Sequence, residues 1–375
     1  MSKLVIVFSR FNTEHLVKDV FLFPLYLSKE LNLQLEVVYD NDNDLPFPFF
    51  ENVTFLNLKS GGGFNSFKSI LAQLSYIKQE GRNISFVFLF HVRWYSFLIG
   101  SAYKRRQKEG YVYIKGDLSV DEAKDFFDYY NIKKMIKSLF VKYLSKYVDL
   151  VSVETIDALN VLKKKAVISN DKIIFIPNGV ERDNNNASII KKENVILNVA
   201  RIGTVQKNTE FILDVISKVN MKDWKLYFLG EVEEGFHSEI DLFFLRNPSL
   251  RESVFFLGNV KDKITRNDFY KKSKIFFFPS RYESYGLALL EAAYYNNYLL
   301  TTNVGAAGDL INYFGCKGEF INLMDKESVV NIMQRLIDHG GSINVSNDID
   351  DLYLSKLVIK LKNQFLLARN KNVNC

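Results

Sequence analysis

The chain reads as an α/β protein built from two doubly wound parallel-sheet domains, on three observations. Short apolar runs alternate with helical stretches along most of its length, the pattern of strands buried on both faces between helices. A polar, asparagine-rich stretch breaks that alternation near the middle. In the second half, strand after strand runs into a loop of glycine and charged residues, where open parallel sheets bind ligands. The composition fits this reading: 375 residues, 47% hydrophobic and 25% charged, suffice for two cores.

The same composition excludes several classes. No run approaches the eighteen or so apolar residues of a membrane span. The opening MSKLVIVFSR is too short in its apolar part for a signal peptide and reads as a first strand. Cys316 and Cys375 are too few and too distant for a disulfide framework or a zinc site, which points to a reducing, cytoplasmic compartment. A net charge of +6 is modest, and no RNA-recognition or zinc-finger signature accompanies it, so no nucleic-acid partner is expected.

In the first half, strands are expected at Lys3 to Phe8, Leu35 to Tyr39, Val53 to Leu58, Ile84 to Phe90, Tyr111 to Lys115, Leu150 to Val153 and Ile173 to Ile176. His15, Lys18 and Asp19 lie at the end of the first loop. His91, Arg93 and Trp94 follow the fourth strand, and Gly116 and Asp117 follow the fifth, so all should open on one side of the sheet. Asp40, Asp42 and Asp44 imitate a calcium loop, but Leu45 replaces its glycine, so they read as a charged turn. Gly62 to Ser69 imitates a phosphate loop, but Phe67 stands where glycine is required.

Asn131 to Val148 holds five lysines and no acid, with Ile132, Ile136, Leu139, Tyr143 and Tyr147 at helical spacing. Packing of that stripe on the sheet is the favoured reading, and docking on an anionic membrane surface is the second.

The second domain follows a linker, giving boundaries of 1–178, 179–194, 195–347 and a C-terminal helix with tail, 348–375. Its first strand, Val195 to Val199, leads to Arg201, and Lys207 opens the next helix, two cations suited to a diphosphate. Gly230 and Gly258 end the next two strands and permit close backbone approach. The run Ile275 to Phe278 then enters PSRYESYGLALLEAA. Here Glu283 lies in the loop, Gly286 opens a helix whose free N–H groups suit a phosphate, and Glu291 lies about one and a half turns into it. Strand Tyr298 to Thr302 precedes the small-residue loop Gly305 to Gly308.

Glu283, seven residues, then Glu291, after a Pro-Ser strand end, resembles the signature of the retaining glycosyltransferases of family 4, which have the GT-B fold. Arg201 and Lys207 resemble that family's Gly-Arg…Lys-Gly element, with Ala200 and Asn208 where glycines are usual. The resemblance implies two domains facing a cleft and a C-terminal helix crossing back. It implies transfer of a hexosyl group, with retained configuration, from a nucleotide-diphosphate sugar to a saccharide or lipid-linked saccharide in surface polysaccharide assembly. Glu283, Arg201, Lys207 and Asp117 would be catalytic. Gly230, Gly258, Ser284, Tyr285, Gly286, Leu287 and Glu291 would bind the donor, with His15, Lys18 and His91 on the acceptor side. Asp117 stands where many members have a histidine, and the first loop lacks their Gly-Gly pair. With two cations and a helix start for the diphosphate, no metal or other cofactor is expected. A GT-B sugar-nucleotide epimerase and a catalytically silent partner subunit are the alternatives. Peripheral attachment to the inner membrane face is compatible with the lysine-rich helix.

Overall fold

A computed structural model of the protein describes residues 2–62, 66–126, 131–182, 191–340 and 345–373. It divides into two compact units, Met1–Glu181 with Asp351–Cys375, and Arg182–Asp350. Residues 183–190 of the expected linker, and 63–65 of the phosphate-loop look-alike, lie outside the described residues.

The first unit is a seven-stranded parallel sheet. Its strands are β1 (Lys3–Val7), β2 (Gln34–Tyr39), β3 (Val53–Asn57), β4 (Ile84–Phe90), β5 (Tyr111–Gly116), β6 (Leu150–Val153) and β7 (Ile173–Phe175), in the order β3-β2-β1-β4-β5-β6-β7. Alternation along each strand splits the side chains between two cores. Val5, Val87, Leu89, Val112 and Ile114 go to one face. Leu4, Ile6, Phe86, Phe88 and Tyr113 go to the other, where they meet the C-terminal helix Leu354–Val373. That helix returns to the first unit through Leu357, Leu361 and Phe365, whose ring lies edge-on to Phe86 at 5.0 Å. Leu366, the next residue along the helix, is half-exposed.

The second unit is a six-stranded parallel sheet. Its strands are β8 (Glu193–Val199), β9 (Lys225–Leu229), β10 (Val254–Phe256), β11 (Ser273–Phe278), β12 (Tyr298–Thr301) and β13 (Gly318–Phe320), in the order β10-β9-β8-β11-β12-β13. In both units the order reverses beside the first strand. That places β1 next to β4, and β8 next to β11, at the points where open sheets form crevices. The edge strand β13 had no counterpart in the sequence reading, since Gly318, Glu319 and Phe320 form no apolar run.

One expectation is reversed. The helix over the basic stretch spans Ile132–Ser145, capped by Asn131, and buries Ser138, Val141, Leu144 and Ser145. Ile132, Ile136, Leu139 and Tyr143 face outward. The small Ser138 and Ser145 let this helix approach its neighbours closely. The larger apolar residues are left on the opposite face.

Candidate active site

In the second unit, adjacent strands deliver two loops that interlock. The loop after β8 runs through Gly203, whose φ of 87° suits glycine. The N–H of Gly203 donates to Thr209 Oγ1 at 2.9 Å, which closes the loop at the start of helix Thr209–Ile216. The loop after β11 is tied to it by Arg281 N–H donating to the Gln206 carbonyl at 2.8 Å and by Asn208 Nδ2 donating to the Pro279 carbonyl at 3.3 Å. Between them the Lys207 ammonium forms an ion pair with Glu283, the two side chains only 16% and 8% exposed. The ammonium also lies 5.0 Å from the centre of the Phe278 ring, at the end of β11. Arg201 is exposed, and its side chain reaches Gln206 at 3.4 Å.

Gly286 takes a φ of 87° and forms the N-cap of helix Leu287–Tyr294. Its role is conformational as well as spatial, since only glycine holds that turn without strain. Gly305 is packed tightly, because a Cβ there would come within 2.4 Å of the Tyr285 carbonyl. Ser284 and Leu287 are exposed, whereas the Tyr285 side chain is buried, so any contact it makes with a ligand falls to its backbone. Glu291 is held by the Tyr270 hydroxyl at 2.8 Å, with Arg266 at 4.0 Å. Burial of Tyr270, with Glu291 beside it, raises its phenol well above the usual value and keeps it a donor. Gly258 has a φ of 67° and open space around its Cα. Gly230 differs: a Cβ there would sit 1.6 Å from the Ala200 carbonyl oxygen, so its first duty is to let the loop after β8 pass.

In the first unit the four residues singled out from the sequence, His15, Lys18, His91 and Asp117, all line one cavity of about 740 Å³. Phe8 forms its aromatic wall, 5.3 Å from the His15 ring and 5.8 Å from the His91 ring. His15 Nδ1 accepts from the Asn12 N–H at 3.1 Å, which fixes the Nε2–H tautomer. Burial and the nearby Lys18 lower its pKa. His91 takes a φ of 65°, a left-handed conformation rare outside glycine and frequent at functional sites. Burial lowers the His91 pKa against the pull of Asp117, and burial raises that of Asp117 against the pull of His91. For both groups burial, the larger cause, works against the charged form.

Beneath the cavity lies a group missing from the sequence reading. Lys115, on β5, is fully buried and donates to Asp19 at 3.1 Å, to Asn178 at 2.6 Å and to Glu154. Burial disfavours its ammonium, but Glu154 and Asp19 outweigh that and raise its pKa above the ordinary lysine value. One carboxylate suffices to balance it. Asp19 lies at the cavity wall, while burial pushes the fully buried Glu154 up to about 8. The signal in the sequence was a lone cation ending an apolar run, YVYIK.

The acidic turn fastens the β2 to β3 connection. Asp40 accepts from the Ser60 N–H at 2.8 Å, and Asp44 pairs with Lys59 at 2.7 Å. No group of three or more metal-ligating side chains is found among the described residues.

Two units of parallel sheet with these strand-end loops define a GT-B protein. Residues 193–339 match the family described as glycosyl transferases group 1, so the second unit is a group 1 glycosyltransferase domain. Over 237 residues the chain is 25% identical to the capsular polysaccharide biosynthesis glycosyltransferase CapH of Staphylococcus aureus, covering 60% of this chain and 64% of CapH. The match thus spans less than two thirds of that relative. The fold resembles the lipopolysaccharide outer core galactosyltransferase WaaB in its apo form, with a TM-score of 0.70 at 16% identity over 98% of this chain and 99% of the other. It also resembles Anabaena HepE in complex with UDP and glucose, with a TM-score of 0.58 at 11% identity over 100% and 99%.

Proposed function

We propose that the protein is a retaining, metal-independent glycosyltransferase. It would move a hexosyl group from a nucleotide-diphosphate sugar to a saccharide or lipid-linked saccharide in surface polysaccharide assembly. The observation that supports this best is the Lys207–Glu283 pair beside the Gly286 helix start, inside a group 1 glycosyltransferase domain. The helix start offers N–H donors to a diphosphate, and Lys207 with Arg201 offers positive charge as the leaving group develops negative charge. Glu283 orients Lys207 and faces the sugar. Glu291, already held by Tyr270 and Arg266, presents its carboxylate to the ribose hydroxyls. Gly258 leaves room for the base. The cavity of the first unit receives the acceptor, with His91 and Asp117 as hydrogen-bonding partners for its hydroxyl. CapH by name and the HepE complex by content support the choice of a polysaccharide pathway and of a sugar-nucleotide donor.

A panel of nucleotide-diphosphate sugars, scored by the rise in melting temperature and then by transfer to saccharide acceptors in excess EDTA, tests the reading. The expected result is chelator-resistant turnover with the donor's anomeric configuration kept in the product. Loss of turnover in EDTA, restored by magnesium or manganese, sinks metal independence. An inverted product sinks retention. Nucleotide released equally with and without acceptor points instead to the epimerase.

A further inference from the structure

The helix Ile132–Ser145 turns a stripe of large apolar side chains away from its own unit. Ile132, Ile136, Leu139, Phe140 and Tyr143 are 68%, 60%, 55%, 40% and 55% exposed, at the spacing of a single helix face. Such a contiguous patch marks an interaction surface. On a 3.6-residue wheel Lys133 and Lys137 fall to one side of the stripe, and Lys142 and Lys146 fall to the other. No acidic residue occurs from Asn131 to Val148. The Lys146 ammonium lies 4.0 Å from the Tyr143 ring centre and 5.1 Å from that of Tyr147, joining aromatic and cation at the rim.

The charge pattern selects the occupant. A second copy would set lysine flank against lysine flank, and like charges brought together oppose such a contact. An anionic lipid surface offers what the face lacks, phosphates for the amines and an acyl boundary for the stripe. We propose that Ile132–Ser145 docks the protein on an anionic phospholipid bilayer, with Ile136, Leu139 and Tyr143 seated in the acyl boundary and the flanking lysines on headgroup phosphates. Docking combines insertion with charge. The Phe140 ring, on the same face, lies 6.5 Å from that of Trp94, three residues from the cavity-lining His91. The face therefore lies near the end of β4, from which a lipid-borne acceptor would reach the cavity. That last step rests on the proposed acceptor role, whereas the docking itself does not.

The test is co-sedimentation of the full chain with vesicles of phosphatidylglycerol and phosphatidylcholine, against phosphatidylcholine alone, at low and high salt. The wild type is expected to bind the anionic vesicles at least tenfold more strongly, and salt should remove only part of that binding. Ile136→Ser with Leu139→Ser should lower the partition coefficient at least tenfold and leave a remainder that salt abolishes. Lys133→Gln with Lys137→Gln and Lys142→Gln should lower it similarly while leaving sugar-nucleotide thermal shifts unchanged. The Ile136→Trp indole should be quenched by brominated acyl chains. Wild-type partitioning of the serine variant, or an unquenched indole, overturns the proposal. So does a dimer that the serine substitutions dissociate without loss of vesicle binding. Failure of glycosyl transfer would leave every one of these readouts intact.

Discussion

The two units solve the same topological problem with different materials. In the second unit the crevice beside β8 and β11 is made from backbone: glycines at positive φ, a helix start, and one ion pair that fixes Lys207. In the first unit the crevice beside β1 and β4 is made by burying ionisable groups, with Lys115 and Glu154, and the Asn178 amide that accepts from Lys115, packed near His91 and Asp117. A backbone site suits one fixed ligand chemistry, such as a diphosphate, because N–H groups cannot be retuned. A site made of buried side chains can change its protonation and shape with its residues. Donor recognition would then be the fixed half and acceptor recognition the variable half.

The largest expected effect tests the first half of that contrast. Lys207→Ala should slow turnover on the order of a hundredfold, because removing a preorganised charge from a developing oxyanion costs about 3 kcal/mol. Arg201→Ala should cost less, since Arg201 is exposed and held by a single 3.4 Å contact to Gln206 among the described residues. Steady-state rates of the two purified variants decide it. Equal losses would mean that the burial of Lys207 gives it no special place.

This contrast also explains what the sequence made legible. The second-unit site was visible because backbone chemistry leaves local marks: a glycine where φ must be positive, two cations and two glutamates at fixed spacing after buried strands. The first-unit cavity was visible only as separate residues at strand ends. What joins them is a cluster assembled across sequence separations of 39 to 96 residues, and no local pattern encodes burial at that range. The basic helix shows the same limit. Its periodicity revealed two faces, but the choice of the buried one depended on Ser138 and Ser145, whose small size matters only against a neighbour.

The second prediction concerns pH and the buried cluster. Glu154 is raised to about 8, from an ordinary value near 4.5. Between those values the folded state holds a proton that the unfolded state has lost. Stability from this group is therefore complete below pH 4.5 and falls as pH rises through 8. Glu154→Gln should remove that dependence. The difference between wild-type and variant unfolding free energies should change with a slope of at most about 1.4 kcal/mol per pH unit across this window. Parallel profiles from pH 5 to 8 would show that the Glu154 carboxyl is ionised throughout that window.

The smallest effect is the most local one, and it asks whether the loop after β8 is held as a unit. Thr209 is buried, and its hydroxyl accepts the Gly203 N–H at 2.9 Å. Thr209→Val keeps the volume and removes the acceptor, so an N–H at the neck of the loop loses its partner at a cost of about 1 kcal/mol. The melting temperature should fall by only a few degrees. The more telling readout is kinetic. Lys207 lies inside the loop that this bond closes and reaches Glu283 only if the loop keeps its course. A looser neck should therefore raise KM for the sugar nucleotide more than it lowers kcat, because ordering the loop then has to come out of the binding free energy. If stability falls while KM stays unchanged, the Lys207–Glu283 pair holds the loop on its own. The Thr209 bond would then be a feature of the fold and not of the site.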